Sequence, residues 1–372
     1  MKIVFLSNAL SHHQVPFCDA ISSFDGVDFT YVATKPITKE RLKMGYTDYH
    51  KQKDYVLTAY ESKGNYKRAK KLVAEADAVI CGSVPLGIIL GRVFSKKPIF
   101  WGSERIYKKE KIGFKNWLFR FVTITLASKK NTRLLAASAY APQDFIKFGL
   151  KAENAYKWGY FPPIVEDYKG KTAQSIIWVG RFVSYKYPCL AISLAEKLKA
   201  ENYDFSLTMV GGGAMDEELR KSVEEKGLSD RVKFTGYLSN EETRNSIGKS
   251  EIMICTSDRQ EGWGAVVNEG MSAGCAVVAS KAMGATPFLI KDGENGYLFE
   301  SGNEEELYEK VSRLLASKEL TLKIGSSARE YIEKEYNGEV AAKRLIKLLS
   351  EINGNPDFKF EDGILSAAPS LK

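Results

Sequence analysis

Between residues 159 and 180 the chain reads GYFPPIVEDYKGKTAQSIIWVG. Phe161-Pro162-Pro163 excludes helix, because proline lacks the backbone N–H and clashes with the preceding turn. The pair marks a linker. Twelve residues on, Ser175–Val179 is a short apolar run closed by Gly180, the pattern of a strand buried on both faces. A pattern therefore stops at the prolines and starts again after them.

On the near side the pattern is strand and helix in turn. Lys2–Ser7, Asp28–Ala33, Ala78–Cys81, Pro98–Trp101 and Leu134–Ala137 read as strands. Val15–Ser23, Tyr66–Ala76 and Pro85–Phe94 read as helices between them. On the far side Phe205–Val210, Val232–Thr235, Ile252–Cys255 and Ala276–Ala279 continue as strands, with Pro188–Ala200, Asp216–Glu225 and Ala265–Ala273 as helices. Strands separated by helices imply right-handed crossovers and parallel sheets. The expected domains are 1–163, 164–340, and a closing helix with a tail over 341–372 that returns toward the first domain. The tail from Asn353 is expected to be poorly ordered or draped on the surface.

Composition narrows the function classes. The 372 residues are 44% hydrophobic and 27% charged, ordinary for a folded globular chain. No run of 18 apolar residues suits a membrane span, and the first residues read as a strand rather than a signal peptide. Five scattered cysteines without paired spacing fit a reduced, cytoplasmic setting and no metal. The net charge of +8 is uneven: residues 1–165 carry +14 and the rest −6. A basic half attracts something anionic, although a solvated lysine-rich surface reads the same way.

Four stretches after the linker carry chemistry. Val179-Gly180-Arg181 with Lys186 puts two cations at the carboxyl end of a strand, suited to a diphosphate or simply exposed there. Gly211-Gly212-Gly213 follows a strand without completing a dinucleotide fingerprint, and a plain turn explains it equally. Phe234-Thr235-Gly236-Tyr237 is a turn able to present groups to a base, or a structural turn. The strongest is Glu261-Gly262-Trp263-Gly264-Ala265-Val266-Val267-Asn268-Glu269. Two glycines precede a helix start, where unpaired N–H groups and the positive dipole end favour an anion. Glu269, one turn on and among apolar neighbours, needs hydrogen-bond partners such as a ribose diol.

These motifs, with Ala-Gly-Cys-Ala-Val-Val-Ala-Ser from Ala273 and Asp-Gly-Glu-Asn-Gly-Tyr-Leu-Phe from Asp292, resemble family 4 of the retaining glycosyltransferases. The resemblance covers residues 175–340 closely and 1–160 in pattern. It implies the α/β GT-B fold, two Rossmann-like domains with parallel sheets facing a central cleft. It also implies a nucleotide-sugar donor, read as a UDP-sugar, on the second domain and a glycan or lipid-linked acceptor on the first. Carried over by position, Arg181 and Lys186 hold the diphosphate and Glu269 the ribose. Glu261 and the amides of Gly262, Trp263 and Gly264 meet the sugar, and Gly212 and Tyr237 complete the nucleotide side. No metal and no other cofactor is implied. The chain departs from the family in three places. Ser7–Gln14 lacks the glycine pair after the first strand, Glu104 stands where members often have His, and Phe288 stands where they usually have an acid. His12, His13 and Glu104 are the acceptor-side candidates.

The expected activity is retaining hexosyl transfer in bacterial surface polysaccharide or glycan assembly. A UDP-sugar epimerase of the same architecture is the enzymatic alternative. A basic nucleic-acid binder is the alternative of another class, and no recognised nucleic-acid motif supports it. The segment Ile106–Phe121 mixes cations with aromatics. It reads as an interfacial helix on an anionic membrane or as Trp117, Leu118 and Phe121 packed into the core.

Overall fold

The computed structural model describes every residue except 40–41, 43–46, 109–111, 128–130, 165–169, 353, 356–357 and 372. Lys109 and Lys111 of the basic-aromatic segment, and Asn353 at the head of the tail, lie outside the described residues. The chain forms two compact units, Met1–Pro162 with Glu335–Lys372, and Pro163–Lys334.

The first unit is built on seven strands: β1 (Lys2–Ser7), β2 (Asp28–Ala33), β3 (Val56–Thr58), β4 (Ala78–Cys81), β5 (Ile99–Ser103), β6 (Thr132–Ala136) and β7 (Ala155–Lys157). They lie in the order β3-β2-β1-β4-β5-β6-β7 and every pair is parallel. The central strands are apolar without alternation because helices cover both faces. The order reverses beside β1, which makes the loop after β1 a switch-point loop, where open α/β sheets bind ligands.

The second unit repeats the plan with β8 (Thr172–Val179), β9 (Ser206–Val210), β10 (Val232–Gly236), β11 (Ser250–Cys255), β12 (Ala276–Ser280) and β13 (Tyr297–Phe299). The order is β10-β9-β8-β11-β12-β13, again all parallel. Its switch point lies between β8 and β11. The loops after those strands are the ones that carry Arg181, Lys186 and Glu261.

Beyond the sheets, Lys318–Glu335 and Gly338–Glu351 are the closing helices. The second packs against Val15–Ser22. Gly338 allows the approach, since a Cβ there would lie 2.6 Å from the backbone of Pro16 and Phe17.

Two expectations are corrected. Part of the tail is core: Ile364 and Leu365 are fully buried. Leu365 N–H donates to the Lys157 carbonyl at 2.9 Å and Lys157 N–H to that of Ser366 at 2.9 Å, with an antiparallel bridge between Tyr156 and Ala367. The unpaired edge of β7 needs partners, and the tail supplies them. The alternative that packs Trp117, Leu118 and Phe121 into the core fails for the first two, while Phe121 is half-buried. Trp117 and Leu118 are exposed, and Phe114–Arg120 buries none of its residues.

Candidate active site

The loops after β8 and β11 are stitched together from below. Trp178 Nε1 donates to Thr256 Oγ1 at 2.8 Å, and Thr256 Oγ1 donates to the Lys186 carbonyl at 2.7 Å. Asp258 N–H reaches the Tyr185 carbonyl at 2.8 Å. Phe182, fully buried, anchors the loop between the two cations. These contacts bring Lys186 Nζ to 2.5 Å from Glu261 Oε2, with the two side chains only 13% and 16% exposed. Ser257 Oγ donates to the same oxygen at 3.2 Å. A cation and a carboxylate drawn from separate motifs thus form one half-buried pair. Arg181 is exposed and donates to the Tyr185 hydroxyl at 2.6 Å.

The helix Ala265–Ser272 begins beside this pair. Its cap residue, Gly264, has φ 90° and ψ 63°, which only glycine adopts without strain. No side chain caps this end. Among the described residues no group accepts from the N–H of Gly262, Gly264, Ala265 or Val266. Four donors and the helix dipole are left for an anion. Trp263 is buried and steadies the turn from inside: its Nε1 donates to Asn268 Oδ1 at 2.8 Å and its carbonyl accepts from Ala285 N–H at 2.9 Å. What it offers a ligand is backbone, not ring. One turn on, burial pushes the Glu269 carboxyl up to about 7, opposed in part by Arg244. No described side chain or backbone group hydrogen-bonds that carboxylate, so its acceptors are available for hydroxyl donors.

Gly211 and Gly213 make the neighbouring turn possible. A Cβ on Gly211, at φ +130°, would lie 1.9 Å from the Gly180 carbonyl oxygen. The Tyr237 ring lies against Gly212, where a Cβ would meet it at 2.9 Å, and the ring is otherwise exposed. An exposed ring on a bare backbone turn offers a flat apolar surface to a base.

In the first unit the acceptor-side candidates form one cluster. The His12 and His13 rings are 3.7 Å apart, and His13 stacks on Tyr160 at 5.9 Å and 7°. Tyr160 donates to Glu104 Oε1 at 2.7 Å, and Glu104 pairs with Lys108. Tyr160, the connector, was not singled out in the sequence. Its signal was its place next to Phe161-Pro162-Pro163, where the chain leaves the unit.

The glycine-free loop after β1 spends its amides internally. Ala9 N–H goes to Asn8 Oδ1 at 2.8 Å, Leu10 N–H to His50 Nε2 at 3.0 Å and Ser11 N–H to Gln14 Oε1 at 3.2 Å. His50 accepts at Nε2, so its neutral form carries the proton on Nδ1, 3.1 Å from the Tyr60 hydroxyl. Burial lowers its pKa, consistent with the neutral ring. Phe288, at the other departure, is buried against Trp263 and supports the helix start.

Residues 166–331 match the family described as glycosyl transferases group 1. An uncharacterized glycosyltransferase of Methanocaldococcus jannaschii is 28% identical over 177 residues, 48% of this chain and 48% of the relative. The amylovoran biosynthesis glycosyltransferase AmsK of Erwinia amylovora is 26% identical over 182 residues, 48% of this chain and 44% of the relative. The chain spans about half the length of the curated relatives it matches. Among solved structures, Anabaena HepE in complex with UDP superposes with a TM-score of 0.69 at 18% identity, over 94% of this chain and 100% of that one. That likeness shows the fold, GT-B with two Rossmann-like units.

Proposed function

We propose that this protein is a metal-independent retaining glycosyltransferase that moves a hexosyl group from a UDP-sugar to a hydroxyl of a glycan or lipid-linked glycan. It would work at the cytoplasmic face of the membrane in surface-polysaccharide or glycan assembly. One observation carries the reading: the Lys186–Glu261 pair stands beside the open amides of Gly262, Gly264, Ala265 and Val266, with Glu269 one turn away. The family match over the second unit and the UDP held by a protein of the same fold support it.

The diphosphate takes the helix N-terminus, Lys186 and Arg181. Together these meet the charge that a divalent cation meets elsewhere. Glu269 accepts from the ribose diol, and Tyr237 backs the base. Glu261 accepts from sugar hydroxyls and stabilises positive charge as the anomeric bond opens. The bond from C1 to the phosphate oxygen breaks and a bond from C1 to the acceptor oxygen forms on the same face. The acceptor proton passes to the departing phosphate oxygen. His12, His13 and Glu104 orient the acceptor.

The test is calorimetry with UDP, then transfer and hydrolysis assays across a panel of nucleotide sugars, with and without chelator. Lys186→Ala is expected to weaken UDP binding by about 1.5–3 kcal/mol, the scale of a charge-assisted hydrogen bond. Unaltered UDP affinity in that variant, or activity abolished by chelator, would overturn the assignment. Isomerisation of the UDP-sugar without acceptor would replace transfer with epimerisation.

A further inference from the structure

Three helices of the first unit present an uncommon surface. Lys63–Glu75 leads into β4, Leu86–Val93 joins β4 to β5, and Phe114–Arg120 with its continuation Phe121–Thr125 leads from β5 to β6. The steps from β4 to β5 to β6 run one way across the sheet, so right-handed crossovers put the last two helices on one face. Tyr66 ties the first helix to the second: its hydroxyl lies 2.9 Å from where a Gly87 Cβ would stand.

The first helix is a cationic ridge. Lys63, Lys67, Arg68, Lys70 and Lys71 are all exposed. Among the described residues only Lys71 has a carboxylate in reach, Glu75 at 3.8 Å. The other two helices add exposed apolar side chains, on the third beside exposed Lys115 and Asn116. Leu90 is exposed on the second and Phe94 at its C-cap. On the third, Phe114 is 72% exposed, Trp117 41% and Leu118 44%, and Leu126 follows, also exposed. Phe114 stacks on Trp117 at 6.2 Å and Trp117 on Phe121 at 5.2 Å, an aromatic ladder packed on itself. Phe119 faces the other way and sits edge-on to buried Trp101 at 5.9 Å. The ladder is therefore presented outward by an anchored helix.

An apolar face of this kind marks an interaction site. A nucleic acid would use the cations and leave the ladder in water. A second copy would use the ladder but set five like charges against five. An anionic bilayer uses both, cations at the headgroups and aromatics at the acyl boundary. No described helix is long and apolar enough to cross a membrane. We infer that the face formed by these three helices docks this protein on an anionic lipid surface, with Trp117 inserted at the interface. The inference rests on none of the donor-site residues.

Trp117 also supplies the readout. The other four tryptophans, Trp101, Trp158, Trp178 and Trp263, are buried. The full chain, without nucleotide, would be sedimented with vesicles of phosphatidylcholine alone or with about a third phosphatidylglycerol. Its tryptophan emission would be followed with brominated lipid. Binding is expected to anionic vesicles, to fall as salt is raised, and to bring bromine quenching that Trp117→Phe removes while binding persists. Lys67→Glu with Lys70→Glu and Lys71→Glu should lower the partition coefficient at least about tenfold. Phe114→Ser with Leu118→Ser should abolish quenching, with circular dichroism showing each variant folded. Equal binding to neutral vesicles, or anionic binding without quenching, overturns the inference. Self-association that Phe114→Ser removes, measured by sedimentation equilibrium, would assign the face to a second copy.

Discussion

Lys186 and Glu261 neutralise one another in the free protein, and that decides how each substitution should behave. Replacing Lys186 removes the cation a diphosphate needs and leaves Glu261 half-buried without its partner. Replacing Glu261 with Gln leaves Lys186 charged and frees it from a competing anion. UDP affinity in Glu261→Gln should therefore stay level or rise while transfer falls at least about a hundredfold, because Glu261 acts on charge that develops only in the transition state. Calorimetry and a transfer assay on the same preparation decide it; a parallel loss of UDP affinity would make Glu261 a mere prop for the loop. Glu269 adds a pH signature. Its carboxyl, raised by burial to about 7 from an ordinary 4.5, holds a proton more tightly folded than unfolded. Between those values the folded state carries more protons, so this group's contribution to stability falls as pH rises and the full penalty of the buried charge stands above pH 7. Ribose hydroxyls donate best to the ionised form. The ratio of UDP dissociation constants, Glu269→Gln over wild type, should climb from near one at about pH 5.5 to about ten or more at pH 8. A flat ratio would remove Glu269 from the ribose.

Among the elements, the glycine turns separate positions that only backbone geometry explains. At Gly264 a Cβ meets the flexible end of Met283 at 2.5 Å, and φ is +90°. At Gly211 the obstacle is the Gly180 carbonyl at 1.9 Å, which no side-chain movement relieves. Gly264→Ala should cost about 1–2 kcal/mol in denaturant unfolding, the strain of a left-handed residue, and weaken UDP by tilting the helix start. Gly211→Ala should cost clearly more. The reverse order would mean that the turn after β9 relaxes freely. The Gly-x-Gly before Ala265 was visible in the sequence because a helix start has a composition. The Lys186–Glu261 contact was not, since it depends on two loops 75 residues apart meeting at a reversal of strand order. The long apolar strands were legible for a related reason: burial on both faces writes a continuous run. β3, β7 and β13, three residues each at or near sheet edges, leave no such trace. Tyr160 is a different case: its place beside the prolines is visible in the sequence, but its role comes from stacking on His13.

At the level of the whole molecule the two α/β repeats follow from the proline break, and a closing helix and tail returning toward the first domain were expected, but what the tail buries there is a matter of packing. The tail read as surface because it is rich in Gly, Pro, Ser and Ala. Composition cannot register that Ile364 and Leu365 fill a gap beside β7. Arg344 fastens the same turn, donating to the carbonyls of Asp362 at 2.7 Å and Ile364 at 3.0 Å while pairing with Glu335 at 2.6 Å. Deleting residues 363–372 should therefore destabilise one unit and spare the other. Losing the burial of the two apolar side chains costs about 1.5–3 kcal/mol each, and the deletion also strips Arg344 of an acceptor and reopens the β7 edge. The expected outcome in denaturant is an early transition for the first unit, followed by a second transition at its original midpoint. UDP affinity should be unchanged in the absence of denaturant, because every residue assigned to the nucleotide lies in Pro163–Lys334. A single cooperative transition shifted as a whole would show that the two units unfold together, and a loss of UDP affinity would show that the tail acts on the donor side as well.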